Sequence, residues 1–124
     1  MVIDSNIFID HLRAKNKLTT RFYRLLKGEQ KLFVSTVSVY EIYCGAATQD
    51  KKKNVQLLIK GIAILPFEYD ASIKAAEIFH QLKAKNQLIE FRDIFIAATC
   101  MMHNLPILTL NKKHFERIEG LEVA

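Results

Sequence analysis

Four polar residues, spread across the chain, carry groups that could do chemistry together. They are Asp4 in Val2-Ile3-Asp4-Ser5-Asn6, Glu41 in Val37-Ser38-Val39-Tyr40-Glu41-Ile42-Tyr43, Asp93 in Arg92-Asp93-Ile94-Phe95, and Asn111 in Thr109-Leu110-Asn111. Taken singly, three have ordinary explanations. Asp4 suits a helix N-cap, Asp93 complements the positive end of a helix, and Asn111 is a turn residue. Glu41 is harder to explain away. It is the only charge from Val37 to Ala47, with Ser38 and Gly45 on its own helical stripe and no lysine or arginine within helical reach. A carboxylate buried without a partner costs several kcal/mol or stays protonated. A bound cation resolves that conflict. Clustered carboxylates repel one another and therefore favour a hard divalent ion, and magnesium takes oxygen ligands while keeping several waters. On a phosphodiester such an ion polarises the phosphoryl oxygen, lowers the pKa of an attacking water and stabilises the leaving oxygen. Three acids and one amide carry a charge of about −3, which suits one tightly held ion, a second being recruited with substrate.

The elements around these residues are those that would bring them to one place. Short β-like runs alternate with helical patterns, which predicts an α/β domain with a mostly parallel sheet. Strands are predicted at Met1–Asp4, Lys31–Thr36, Ile62–Phe67 and Ile107–Leu110, with Leu121–Val123 as a last edge strand. Helices are predicted from Ser5, then over Leu18–Lys27, Val37–Ala47, Lys51–Lys60, Ala71–Lys85 and Arg92–His103. In that arrangement Asp4 and Asn111 end strands and Asp93 opens a helix. Open parallel sheets place their sites beyond the carboxyl ends of the strands, where those residues fall.

Composition narrows the function classes. A chain of 124 residues, half of them hydrophobic and a quarter charged, reads as one globular domain over 1–124 and not as a disordered segment. The net charge of +5 favours an anionic partner, nucleic acid first. Cys44 and Cys100 belong to no Cys/His cluster and are expected to be buried free thiols. No apolar run reaches the length of a membrane span or a secretion signal, so a cytoplasmic protein with no membrane partner is expected.

Together these segments resemble the PIN-domain nucleases, specifically the VapC-like toxins of type II toxin–antitoxin systems. The matching pieces are Ile3-Asp4-Ser5-Asn6-Ile7-Phe8-Ile9, Ser35-Thr36-Val37-Ser38-Val39-Tyr40-Glu41-Ile42 with Gly45, Asp93-Ile94-Phe95-Ile96-Ala97-Ala98, and Thr109-Leu110-Asn111 with His114-Phe115-Glu116-Arg117-Ile118 and Gly120-Leu121. The resemblance implies a three-layer α/β/α sandwich around a mostly parallel sheet of four to five strands. It implies an endoribonuclease dependent on Mg²⁺ (Mn²⁺ as a substitute), and a cognate antitoxin that inserts into the active site. Asp4, Glu41 and Asp93 match the family's three principal acids. Asp4 and Asp93 are then the best-supported magnesium contacts, with Glu41 binding through water or activating it. Asn111 stands where many members carry a fourth aspartate. Ser5 and Thr109 adjoin the acids and are expected to hydrogen-bond them.

Among the basic groups, Arg92 and Lys112 adjoin proposed site residues and are expected to contact RNA phosphate, giving affinity without sequence preference. His114 reads as a helix-surface residue beside buried Phe115, and His11, His80 and His103 show no ligand spacing. Asp10 and Glu90 suit solvent as well as they suit an extended acidic ring. Tyr40, Tyr43, Phe91 and Phe95 are expected in the core or an interface, and the apolar early helices are a candidate homodimer surface. Two other functions compete. One is a catalytically weak or inactive module of the same fold that holds RNA or a partner. The other is a receiver-type phosphoacceptor domain, which would need acids beside Asp4 and an aspartate ending a central strand.

Overall fold

Two-residue alternation along very short strands sorts the chain into layers. In the computed structural model, which describes residues 1–124, the strands are β1 (Val2–Ile3), β2 (Phe33–Ser35), β3 (Ala63–Leu65) and β4 (Ile107–Leu108). Val2, Phe33 and Ile107 pack into one core, while Ile3, Val34 and Leu108, each the next residue, pack into the other. The first core is covered by α5 (Tyr69–Ala84), α6 (Phe91–Met102) and the short α7 (Lys112–Phe115). The second is covered by α1 (Ser5–Arg13), α2 (Arg21–Leu26), α3 (Thr36–Cys44) and α4 (Gln49–Ile59). The expected three-layer α/β/α sandwich is therefore present.

The sheet is four-stranded and all its pairings are parallel, in the order β3-β2-β1-β4. The expected edge strand at Leu121–Val123 reduces to an isolated parallel bridge between Ile107 and Val123. Every strand is shorter than its predicted span, and after β1 and β2 the following helix begins almost at once. Asp4 directly follows β1 and Ser35 ends β2, and each is already the N-cap of the next helix. The predicted helix at Leu18–Lys27 is interrupted. A 3-10 turn at Lys17–Thr19 precedes Thr20, whose hydroxyl caps α2 by accepting from the Tyr23 amide.

From β1 the chain winds to β2 and β3 on one side, then returns to place β4 on the other. The crevice at that reversal lies beyond the carboxyl ends of β1 and β4, the position where parallel sheets bind ligands.

Candidate active site

Asp4 leaves β1 into that crevice and is 3% exposed. Its Oδ1 accepts from the Ser5 amide at 2.7 Å, so the N-cap explanation holds, but its Oδ2 accepts from Thr109 Oγ1 at 2.6 Å across the sheet. Burial pushes the Asp4 carboxyl above the ordinary aspartate range, and the bonds from Thr109 and Ser5 pull it partly back. Thr109 is fully used. It donates to Asp4 and accepts from Asn6 Nδ2 at 3.2 Å and from the Asn111 amide at 2.9 Å. Asn6 Oδ1 in turn accepts from the Leu110 amide at 3.1 Å. Sequence reasoning did not single out Asn6. The available signal was that β1 and β4 are parallel neighbours, which sets the first turn of α1 against the residues following β4.

Glu41 reaches the same place from α3. Ser5 Oγ lies 3.4 Å from Asp4 Oδ1 and 3.1 Å from Glu41 Oε1, so one hydroxyl with one proton bridges the two acids. The expectation that Glu41 lacks a basic partner is corrected by tertiary structure: Arg92 Nε on α6 stands 3.4 Å from Glu41 Oε2. Burial raises the Glu41 pKa, with the Asp4 charge adding to it, while Ser5 and Arg92 oppose the rise. The stripe around Glu41 is mixed, since Ser38 is fully buried with an unpartnered hydroxyl and Gly45 is exposed.

Asp93, in the first turn of α6, shows the acids' mutual repulsion most clearly. Its pKa is pushed up to about 6, first by burial, then by the charges of Asp4, Glu41 and Glu90, with Arg92 acting against them. Asn111 is the N-cap residue of α7, yet its side chain makes no capping bond. It turns instead to His114, with Nδ2 and the imidazole Nδ1 2.7 Å apart, and that Nδ1 lies 3.9 Å from Asp93 Oδ2. His114, expected as a bystander on the helix surface, therefore links Asn111 to Asp93.

The four sequence-predicted residues thus converge, with Ser5 bridging Asp4 and Glu41 and Thr109 hydrogen-bonding Asp4. Arg92 is half exposed and meets the acids as an ion-pair partner, and Lys112 lies exposed at the start of α7 with no salt bridge. No group of three or more His, Cys, Asp or Glu side chains forms a ready-made metal cage. The donors are all oxygen, and the repulsion among them is what a cation would relieve. This suits a hydrated hard ion held partly through water better than one stripped by its ligands.

Several expectations are corrected outside the acids. Cys44 is exposed, and only Cys100 is buried, its thiol pushed up to about 12 by burial. Tyr40 and Phe91 are 59% and 68% exposed, so of the core or interface expected for them only an interface is left, whereas Tyr43 and Phe95 are partly buried against the cores. The receiver-type alternative fares as the sequence suggests: Asp50, in Gln49-Asp50-Lys51-Lys52-Lys53, sits exposed at the start of α4 and ends no strand. No helix is long and apolar enough to cross a membrane.

With this geometry in view, the comparisons with known proteins agree on one family. The PIN domain model matches residues 1–121. Ribonuclease VapC1 of Rickettsia felis is 30% identical, the match covering 99% of this chain and 93% of that protein. Ribonuclease VapC1 of Methanocaldococcus jannaschii is 28% identical, over 99% of this chain and 85% of that protein. Among solved structures, VapBC2 from Rickettsia felis bound to a promoter DNA fragment has a TM-score of 0.85 at 20% identity, covering 99% of this chain and 96% of that one.

Proposed function

We propose, from the premise that this chain belongs to the PIN domain family, that it is a metal-dependent endoribonuclease and the toxin of a toxin–antitoxin pair. The observation that carries the reading is that Ser5 bridges Asp4 and Glu41 while Asp93 feels the charges of both, in a crevice where burial raises the pKa of all three acids and mutual repulsion adds to it for Glu41 and Asp93. Asp4, Asp93 and Glu41 would hold Mg²⁺, or Mn²⁺ in its place. That ion, when bound, supplies Lewis-acid polarisation of the phosphate and a more acidic attacking water.

The chain's own groups do the rest. Thr109 and Ser5 fix the Asp4 carboxylate, so its direction is set before substrate arrives. Arg92 is on Glu41 Oε2 in the free protein, and an incoming phosphate competes for that guanidinium. As Arg92 turns to the phosphate, Glu41 Oε2 is left to take a proton from the attacking water, a role its raised pKa suits. Asn111 and His114 flank Asp93 on the side of β4 and complete the polar wall. Lys112 adds a second phosphate contact at the start of α7.

In this reading a cognate antitoxin inserts a segment into the acidic crevice, and the protein acts on cytoplasmic RNA as a homodimer. The early helices leave Leu18 and Leu26 exposed for such a contact. The deciding experiment is cleavage of a structured RNA with Mg²⁺, with Mn²⁺ and with a chelator. Metal-dependent cutting is expected, with Asp4→Asn and Asp93→Asn each losing about 100-fold or more. Undiminished cutting by both variants, or cutting that persists in chelator, would defeat the assignment. The second reading, a module that binds RNA or a partner without cutting, is favoured by the amide at Asn111 and the lack of a ready-made cage. It predicts binding with no cleavage under any metal.

A further inference from the structure

Two backbone N–H groups fix the direction of the hydrogen bonds that lead through Thr109 to Asp4. The Leu110 amide donates to Asn6 Oδ1 at 3.1 Å, and an N–H has no acceptor role to exchange for this one. The orientation of the Asn6 side chain follows, since the flipped amide would set its NH₂ group against that N–H. Its nitrogen therefore faces Thr109 and donates to Oγ1 at 3.2 Å. The Asn111 amide donates to the same oxygen at 2.9 Å. A hydroxyl oxygen has two lone pairs, and both are now taken. The single Thr109 proton is left with Asp4 Oδ2, at the 2.6 Å typical of a hydroxyl on a carboxylate. Thr109 and Asp4 are both buried, out of reach of bulk water.

We propose that Asn6 is a positioning residue of the nuclease: by directing the Thr109 hydroxyl, it holds the Asp4 carboxylate in one orientation before an ion binds. The inference rests on the nuclease reading and goes beyond it, since Asn6 is not among the acids that would hold the ion. Both ends of its amide are needed. The oxygen ties the first turn of α1 to the backbone after β4, and the nitrogen commits the Thr109 proton to Asp4. Asn6→Asp separates the two functions. An aspartate of nearly the same shape still accepts from the Leu110 amide, but it has no hydrogen to give Thr109. The Thr109 proton then has two carboxylates to choose between, and its bond to Asp4 is no longer exclusive.

The test measures Mn²⁺ binding to the full chain by calorimetry without RNA, with cleavage read separately. Asn6→Asp is expected to weaken Mn²⁺ binding about 10- to 100-fold, although its added negative charge would by itself tighten it. It should lower kcat by a similar factor and leave KM for RNA little changed. In a Thr109→Val background the same substitution should cost little more, because no hydroxyl is left to direct. A second measurement needs no Thr109 variant. By NMR of the metal-free chain, the Thr109 hydroxyl proton should be slowly exchanging in the parent, with cross-peaks to the Asn6 side-chain amide, and should exchange faster in Asn6→Asp. Equal or tighter Mn²⁺ binding in Asn6→Asp would overturn the proposal. So would the same loss with and without the Thr109 hydroxyl, since the effect would then be one of charge. A parent whose Mn²⁺ binding depends on Asn6 but that cuts no RNA would instead remove the nuclease reading and leave the role of Asn6 standing.

Discussion

Asp93 is the residue at which the site's electrostatics are most exposed to experiment. Its pKa is raised from the ordinary aspartate value of 3.8 to about 6, so in the folded, metal-free protein its charged form is disfavoured. The stability that this protonated acid contributes is fully present below about pH 4 and is lost as the pH rises through about 6. Thermal melting in chelator should therefore show Tm falling over that window, and Asp93→Asn should flatten the fall and raise Tm at pH 7.5. A steep fall that survives in Asp93→Asn would assign the repulsion to other groups. Glu41 was legible from sequence because a lone charge in an apolar helix is conspicuous, whereas Asp4 and Asp93, ordinary when taken singly, were marked by the family resemblance. The partners were not legible. Arg92 on Glu41, Asn6 on Thr109 and His114 on Asp93 are pairings between elements, and no local spacing shows which side chains meet.

At the scale of elements, helix type and order were readable and the ends were not. Lys51–Lys60 and Arg92–His103 fall close to α4 and α6, since apolar spacing over many residues is a strong signal. The break at Thr20 was missed because its cause is a set of side-chain bonds. Thr20 Oγ1 accepts from the Tyr23 amide and lies 2.6 Å from Nδ1 of buried His11. Nearby, Lys17 Nζ donates to the carbonyls of His11, Leu12 and Ala14 at 2.8–3.0 Å, closing the end of α1. Thr20→Ala removes the cap of α2 and strands the imidazole of His11. A loss of about 1–3 kcal/mol in denaturant unfolding is expected, with RNA cleavage by the folded fraction retained. A stability within about 0.5 kcal/mol of the parent would mean that water replaces the hydroxyl without cost.

For the whole molecule, the acidic crevice makes stability and ligand binding one problem. An ion that binds the folded chain and not the unfolded one stabilises it by mass action, by about 2.7 kcal/mol at a concentration 100 times its Kd. Mg²⁺ or Mn²⁺ should accordingly raise Tm at pH 7.5, and the rise should shrink toward pH 5 as Asp93 takes up its proton. An equal rise with Asp4→Asn, or with a monovalent salt matched for ionic strength, would place the ion elsewhere. The topology explains why the site lies where it does. With β1 between β2 and β4, the chain's reversal opens a crevice at β1, and four separate segments deliver their residues to it.

Resemblance to a known family marked Asp4 and Asp93, while residue chemistry and alternating hydrophobicity, both local properties of the chain, determined the α/β class, the order of the elements and the conspicuous charge of Glu41. Those features follow from side-chain type and from periods of 2 and 3.6 residues, which folding does not alter. Tertiary structure alone decided which groups meet: that Ser5 bridges Asp4 and Glu41, that Arg92 crosses from α6 to α3, and that Tyr40 and Phe91 face water instead of a core. Such contacts depend on how helices rotate and strands pair across long intervals of chain, and that is fixed only when both cores pack at once.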